Sequence, residues 1–205
     1  RSTATGPEFL EAHKQLIESA YILHINGRHR KLMRSAMAVA KEVGTIISLD
    51  GGAQRYDEDM KPITEASHIV IVARDYAEKY TGTTNLKEAC RIIHERGACI
   101  AGVTDGANGS YFVWPDGTFY RCEPFTQATV VDTTGAGDSF HGTFLANLVH
   151  TINHMMGQDA TSTTKHDRAS IHAVELLKAC THSDLEKAAI FASAVASLNT
   201  QGIGG

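Results

Sequence analysis

Four short apolar runs alternate with segments of helical periodicity through the first half of the chain. The runs span residues 21–25, 45–49, 68–72 and 98–103, and each has the length of a single strand. Apolar residues recur at helical spacing over residues 9–17, 28–43, 75–80 and 85–96. Strands that alternate with helices in this way form a parallel sheet with helices on its faces. We therefore predict an α/β fold, a three-layer αβα sandwich with a mainly parallel sheet.

The pattern changes after the fourth predicted strand. Aromatic-rich runs at residues 110–114 and 118–121 flank the turn sequence Pro115-Asp116-Gly117 and predict an antiparallel β-hairpin appended to the sheet. Trp114 in this hairpin is interpreted as a core residue. No internal repeat or linker divides the chain, so residues 1–205 are predicted to form one domain. The remaining predicted elements are a short strand at residues 130–131, helices at 139–149, 169–180 and 184–199, and a polar loop at 150–167.

The composition restricts the partners. The 205 residues carry a formal net charge of −4 and a pI of about 6.3, which gives no electrostatic reason to bind nucleic acid or an anionic membrane. No apolar run approaches the length that spans a bilayer. The four cysteines form no Cys-x-x-Cys pair, and we interpret them as reduced thiols of a cytoplasmic protein.

The strongest chemical signal is a glycine-rich turn between the strand predicted at residues 130–131 and the helix that follows. Small residues at positions 135–137 let the backbone curl, so that successive N–H groups converge at the start of the helix. These groups and the positive end of the helix dipole form an anion site that suits a phosphate. Asp138, on the first helical turn, is placed to accept the proton of an attacking hydroxyl. The turn reads Asp132-Thr133-Thr134-Gly135-Ala136-Gly137-Asp138-Ser139-Phe140.

Parts of this turn also resemble three other motifs. A dinucleotide fingerprint would require glycine or alanine in place of Phe140 and would normally follow the first strand. A P-loop requires Gly-Lys-Ser/Thr, a triplet that does not occur in the sequence. A bare Gly-x-Gly-Asp is also compatible with an ordinary glycine turn and a helix-capping aspartate. The full nine-residue string in a strand–turn–helix setting is more specific than any of these fragments.

Residues 132–138 resemble the signature of the ribokinase family of carbohydrate and nucleoside kinases, and residues 139–142 continue the match. The match loosens at Thr143, where the family usually has alanine or glycine. The resemblance implies a ribokinase-like fold, ATP with Mg²⁺ as phosphate donor, and Asp138 as the base that deprotonates the acceptor hydroxyl. The phosphate-holding N–H groups that it implies are those of Gly135, Ala136 and Gly137.

A second segment resembles the same family. Residues 104–109 match its Thr-x-Gly-x-x-Gly nucleotide loop, where glycines let the backbone approach the nucleotide closely. A strand-to-hairpin turn would use similar residues, but the position of this loop ahead of Asp138 is the one that the family requires. The nucleotide-binding residues implied here are Thr104, Asp105, Gly106 and Gly109.

Two further correspondences concern the adenine pocket and a cation. The last predicted helix resembles the family's C-terminal helix, whose end helps wall the adenine pocket, and Asn199 is the candidate residue there. A capping role for Asn199 before Gly202 is the alternative. Asp132 and Thr134 correspond to positions that bind a monovalent cation in some family members, which implies K⁺ as a possible ligand.

The chain also departs from the family pattern. Many relatives carry an Asn-x-x-Glu motif near the third strand, whereas residues 73–78 here read Ala-Arg-Asp-Tyr-Ala-Glu, closer to ketohexokinase-like members. Arg74 is interpreted mainly as an exposed ion-pair partner, with an ATP phosphate as the alternative. The family's N-terminal strands, its sugar-binding residues and its β-sheet lid have no counterpart in the sequence. The chain is therefore expected to be part of a longer protein, and family dimers often form through that lid.

The leading hypothesis is ATP-dependent phosphorylation of a sugar hydroxyl. A nucleoside or another small alcohol is the alternative acceptor, because the region that sets specificity is not in the sequence. A non-catalytic nucleotide-binding protein of the same fold is the alternative from another functional class. An oxidoreductase that binds a dinucleotide at the glycine turn is disfavoured by Phe140.

Overall fold

The computed structural model describes residues 7–125, 129–157 and 173–203. In these ranges it contains six strands, eight α-helices and two single 3-10 turns. The strands are β1 (Ile22–Ile25), β2 (Ile46–Gly51), β3 (Ile69–Ala73), β4 (Ile100–Thr104), β5 (Ser110–Val113) and β6 (Phe119–Cys122). The helices are α1 (Pro7–Ser19), α2 (Arg30–Glu42), α3 (Lys61–Glu65), α4 (Arg74–Thr81), α5 (Leu86–Glu95), α6 (Ala136–Met155), α7 (Ala173–Ala179) and α8 (His182–Asn199).

The six strands form one sheet in the order of the sequence, β1-β2-β3-β4-β5-β6. The first four strands are parallel, and the last two add to β4 as an antiparallel hairpin. Parallel neighbours require a crossover, and the helices between β1 and β4 provide it. Because β1 to β4 run in the same direction, their carboxyl ends lie at one edge of the sheet. The predicted α/β fold with an appended hairpin is confirmed.

Strand alternation divides the core into two halves, one on each face of the sheet. On β3, Ile69 and Ile71 pack beneath α6 and α8, whereas Val70 and Val72 pack against α2, α4 and α5. All four side chains are fully buried, so β3 has the continuous apolar character of a strand covered on both faces. Trp114 is also fully buried and stacks on Phe112, which confirms its interpretation as a core residue. The three-layer arrangement follows from these two apolar faces.

Several predicted boundaries were wrong. Residues 130–131 do not form a strand. Val130 and Val131 are exposed, and the Val131 N–H bonds to the carbonyl of Thr200 rather than to a neighbouring strand. Helix α6 continues to Met155 instead of ending at 149, so residues 150–155 are helical. The short helix α3, with Pro62 in its first turn, was not predicted because the polar stretch before it gives no helical periodicity.

Two other predicted elements fall partly outside the described residues. The polar loop predicted at residues 150–167 is described only to residue 157, and the helix predicted at 169–180 is described only from Ala173. Helix α8 begins at His182, earlier than predicted. Thr181 caps it and forms a reciprocal capping box with Asp184.

The four cysteines are buried free thiols. Burial raises the pKa of the Cys90 thiol to about 12, so this sulfur is a packing group rather than a nucleophile. Within the described ranges, no helix combines the length and apolar character needed to cross a membrane.

Candidate active site

The loop that follows β4 brings the backbone close to the hairpin at the carboxyl edge of the sheet. β4 ends at Thr104, a 3-10 turn covers Gly106–Asn108, and Asp105 accepts a hydrogen bond from the Asn108 side chain at 3.1 Å. Backbone hydrogen bonds close the loop: the Asp105 N–H donates to the Gly109 carbonyl at 2.9 Å, and the Gly109 N–H donates to the Gly106 carbonyl at 3.1 Å. These bonds hold the backbone of residues 105–109 in one conformation next to the first residue of β5.

Gly109 is required by the geometry of this loop. Its φ of 90° lies in a region that residues with side chains rarely adopt, and an added Cβ would lie 2.3 Å from the carbonyl oxygen of Cys122. Gly109→Ala is expected to lower the free energy of unfolding by about 3 kcal/mol or more, because backbone strain and a backbone clash add together. Denaturant titration of the chain measures this loss.

Gly117 supplies the matched control. It has a similar φ of 83°, but an added Cβ meets no atom within 4 Å. Gly117→Ala should therefore cost only the conformational strain, about 1 kcal/mol. Equal losses in the two variants would contradict a steric requirement for glycine at 109.

The first turn of α6 forms a second backbone surface at the same edge. Gly135 precedes the helix in the left-handed conformation with φ 79°, and the Ser139 N–H donates to the Gly135 carbonyl at 2.8 Å. The N–H groups of Gly137 and Asp138 lie before that bond, in the turn where a helix has no internal acceptor for them. Together with the helix dipole they provide positive potential for an anion. The Asp138 side chain is exposed beside them.

The segment that leads into α6 is anchored to the end of α8. The backbone N–H groups of Val131 and Asp132 both donate to the Thr200 carbonyl, at 2.8 and 3.1 Å. The Asp132 carboxylate in turn accepts a bond from the Thr134 N–H at 2.9 Å. Ser197, one turn earlier on α8, donates its hydroxyl to the Phe125 carbonyl at 2.8 Å. These bonds hold the signature turn, the hairpin exit and the C-terminal helix together.

A cavity of about 490 Å³ lies between the β4–β5 loop, the first turn of α6 and helix α8. Its volume is within the range of small-molecule sites. The β4–β5 loop lines it on one side, the first turn of α6 on another, and one face of α8 on a third. The residues of these walls include Thr104, Gly106, Gly109, Ala136, Gly137, Phe140, Ser193, Ala196, Ser197 and Thr200.

The structure brings five predicted site residues together in this cavity, namely Thr104, Gly106, Gly109, Ala136 and Gly137. The other predicted residues, Asp105, Asp132, Thr134, Gly135, Asp138 and Asn199, lie in the same segments and are not part of its wall. Asn199 is the last residue of α8, next to the lining residue Thr200. Its contact with an adenine therefore stays a prediction.

Sequence reasoning expected the end of the last helix at the nucleotide pocket but named Asn199 and missed the α8 residues that line the cavity. Ser193, Ala196, Ser197 and Thr200 lie three or four positions apart and therefore share one face of the helix. The face carries only small side chains, which leaves room beside the hairpin for a flat ligand. The recurrence of small residues at this spacing was the available signal.

Arg74 occupies the carboxyl end of β3 as an ion-pair partner. Its Nε donates to Glu78 at 2.8 Å, and its Nη1 contacts the Asp105 carboxylate at 3.1 Å. The hydrogen bond to Glu78, and after it the one to Asp105, raise the pKa of the Arg74 guanidinium above its ordinary value. The ion-pair interpretation of Arg74 is confirmed, and the pair links the β3–α4 junction to the predicted nucleotide loop.

Comparison with known proteins identifies the family. The model of the pfkB family carbohydrate kinases matches residues 2–205. A probable fructokinase-5 of Arabidopsis thaliana is 30% identical over 154 residues, which cover 67% of this chain and 47% of that protein. A cytidine kinase of Thermococcus kodakarensis is 35% identical over 89 residues, 42% of this chain and 31% of that protein. The chain thus spans less than half the length of these curated relatives.

A solved structure supports the fold independently. The ribokinase of Giardia lamblia superposes with a TM-score of 0.70 at 17% identity, over 97% of this chain and 59% of that one. At this identity the likeness concerns the fold alone. The predicted ribokinase-like topology is confirmed by it.

Proposed function

Because the chain belongs to the pfkB family of carbohydrate kinases, we propose that it forms the nucleotide-binding and phosphoryl-transferring part of a kinase. The donor is ATP, and the acceptor is a hydroxyl group of a sugar. Asp138 is the general base, and the first turn of α6 holds the phosphoryl group that is transferred.

One observation carries this proposal: the loop after β4, the first turn of α6 and the end of α8 converge on a single cavity. The face of α8 that lines the cavity carries only small side chains, so a nucleobase can lie flat against it. The phosphates then extend toward Gly137, whose backbone N–H lies in the unpaired first turn. The nucleobase and the phosphates therefore bind at different ends of the cavity, as transfer of a terminal phosphate requires.

The chemistry needs a base and charge neutralisation rather than covalent catalysis. The acceptor oxygen attacks the γ-phosphorus, its proton passes to the Asp138 carboxylate, and the bond between the γ-phosphorus and the bridging oxygen breaks to release ADP. The N–H groups at the start of α6 and the helix dipole stabilise the charge on the transferring group. Asp138 lies on that same turn, so base and anion site are fixed relative to each other.

Among the described residues, no group of three or more His, Cys, Asp or Glu side chains is arranged to hold a metal ion. Mg²⁺ is commonly bound through substrate phosphates, water and one or two carboxylates, so ATP itself would supply part of its ligands. When bound with ATP it would neutralise phosphate charge. Asp132 and Thr134 are the proposed K⁺ site. The Thr134 N–H donates to the Asp132 carboxylate, so the two residues form one compact turn.

The acceptor class is tested by phosphoryl transfer in the full-length protein. With ATP and Mg²⁺, we expect ADP formation that depends on one acceptor among fructose, ribose, adenosine and cytidine, and that exceeds the acceptor-free rate at least tenfold. A sugar is the favoured acceptor, and a nucleoside would reassign the substrate class without changing the mechanism. ATP binding without acceptor-dependent ADP formation for a wide set of alcohols would instead indicate a non-catalytic nucleotide-binding protein.

A further inference from the structure

The face of the sheet beneath α6 becomes polar at its carboxyl edge. Strand alternation places Ile22 and Ile46 on this face, in the apolar core below α6. The next positions of the same parity are His24 on β1 and Ser48 and Asp50 on β2. The His24 imidazole contacts the Ser48 hydroxyl at 3.3 Å, and the two residues are paired in the β1–β2 register. Apolar packing therefore gives way to a polar group beside the proposed active site.

His141 on α6 covers this polar group. Its Nε2 lies 3.3 Å from the Asp50 carboxylate, and the two side chains are only 5% and 9% exposed. The His141 ring also lies 5.4 Å from the ring of His24, measured between centroids. Arg55 approaches the other Asp50 oxygen at 3.7 Å. A buried carboxylate requires such partners, so the pair joins α6 to the end of β2.

The pKa of Asp50 is consistent with a lasting contact between Asp50 and His141. Burial acts to raise the pKa of Asp50, but the hydrogen bond from His141 and the charges of His141 and Arg55 outweigh it, and the net pKa is below the ordinary value. A depressed pKa means that the contribution of this carboxylate to stability is present above its unfolded pKa and is lost only as the pH falls through the folded value. The Asp50 charge is therefore retained at neutral pH.

The Nδ1 atom of His141 shows that simple packing does not explain this side chain. It is buried and has no hydrogen-bond partner among the described residues. An unpaired buried polar atom is rare in folded proteins, and an apolar residue would avoid its cost. Phe140 and Phe144, close by on the same helix, are such apolar residues. A histidine at 141 thus requires a reason other than filling space.

The position of His141 along the helix supplies that reason. It follows Asp138 by three residues, so the two lie one turn apart on the same side of α6. Burial, and after it the charge of His141, lower the pKa of His24 below its ordinary value. The negative charges of Asp50 and Asp138 act in the opposite direction, so both carboxylates are close enough to influence His24. The proposed base and the buried pair therefore belong to one connected group of charges.

We propose that His141 and Asp50 are positioning residues for the kinase reaction. Their buried contact fixes the first turn of α6 over the end of β2, and so fixes the Asp138 carboxylate relative to the sheet edge. The inference rests on the proposed function, because it gives the contact a role in phosphoryl transfer. Displacements of about 1 Å in such a site can lower the rate by about a hundredfold.

The test compares single and double variants in the full-length protein. His141→Leu or Asp50→Leu alone leaves a buried polar partner, so either is expected to lower both the melting temperature and kcat. The double variant Asp50→Leu/His141→Leu removes both partners and should recover the melting temperature, since an apolar pair can replace a buried polar one. Its kcat should remain at least tenfold below the wild-type value, with the KM for ATP within threefold. His141→Gln, which restores a donor to Asp50, should recover most of the rate.

His150→Leu is the matched control, because His150 is an exposed histidine near the end of the same helix. It should leave kcat unchanged. A double variant with a kcat within threefold of wild type would overturn the proposal, since stability alone would then account for the contact. Failure of His141→Gln to recover activity would overturn it as well.

Amide hydrogen exchange separates this inference from the proposed function. In peptides that cover residues 136–141, exchange should rise at least tenfold in the double variant and not in His150→Leu, while β3 peptides stay protected. Unchanged exchange would overturn the anchoring role. If the wild-type protein transfers phosphate to no acceptor, the proposed function fails, and the exchange result still decides whether the pair anchors α6.

Discussion

Asp138→Asn is expected to lower kcat by about 10²- to 10⁴-fold, the range over which general base catalysis contributes. The substitution removes the proton acceptor and preserves the size of the side chain. Asp138 is exposed on the first turn of α6 and contributes nothing to the core, so the melting temperature should change little. The KM for ATP should stay within a few-fold, because the nucleotide contacts the backbone of the same turn. Steady-state kinetics of the full-length protein with its best acceptor measure both constants.

Asp59→Asn is the matched control for this substitution. Asp59 is an exposed aspartate that contacts Arg30 at 3.4 Å on the surface, away from α6. Its loss should leave kcat unchanged. If Asp138→Asn retains most of the wild-type kcat, Asp138 is not the base, even if ATP still binds.

Gly137→Val is expected to weaken ATP binding by about a hundredfold, a loss of about 2.7 kcal/mol. Gly137 lines the cavity, and a Cβ built on it meets no atom within 4 Å. The added side chain therefore projects into the space assigned to the phosphates and shields the N–H groups below it. The fold should be retained, because no protein atom is displaced. Isothermal titration with ATP and Mg²⁺ gives the affinity, and circular dichroism checks the fold.

Gly142→Val controls for the cost of a β-branched residue in α6. Gly142 lies on the same helix, has open space at its Cβ and does not line the cavity. The two variants should therefore have similar melting temperatures and differ in ATP affinity. Equal affinities for ATP would contradict a phosphate site at the first turn of α6.

Most of the sheet could be predicted from local sequence. β1 to β4 are short apolar runs between helical segments, and the hairpin is marked by its Pro115-Asp116-Gly117 turn. In each case the signal lies within about ten residues. The segment at 130–131 has the composition of a strand, yet Val131 bonds to Thr200, about seventy residues later in the chain. A contact at that separation leaves no trace in local composition.

The candidate site was predictable to the same extent. Glycines 106, 109, 135 and 137 belong to local motifs that follow one strand or precede one helix, and the structure brings both motifs to one edge of the sheet. The Asp50–His141 contact joins two residues with no motif in common, and each looks ordinary in its own segment. Only the packing of α6 over the end of β2 shows that they meet.

The most direct test of the nucleotide site is a crystal structure of the protein with a non-hydrolysable ATP analogue and Mg²⁺. We predict the nucleobase against Ala196 and Ser197 of α8, and phosphate oxygens within about 3 Å of the backbone nitrogens of Gly137 and Asp138. The terminal phosphate should face the Asp138 carboxylate. A nucleotide bound elsewhere, or one whose phosphates point away from the first turn of α6, would contradict the account.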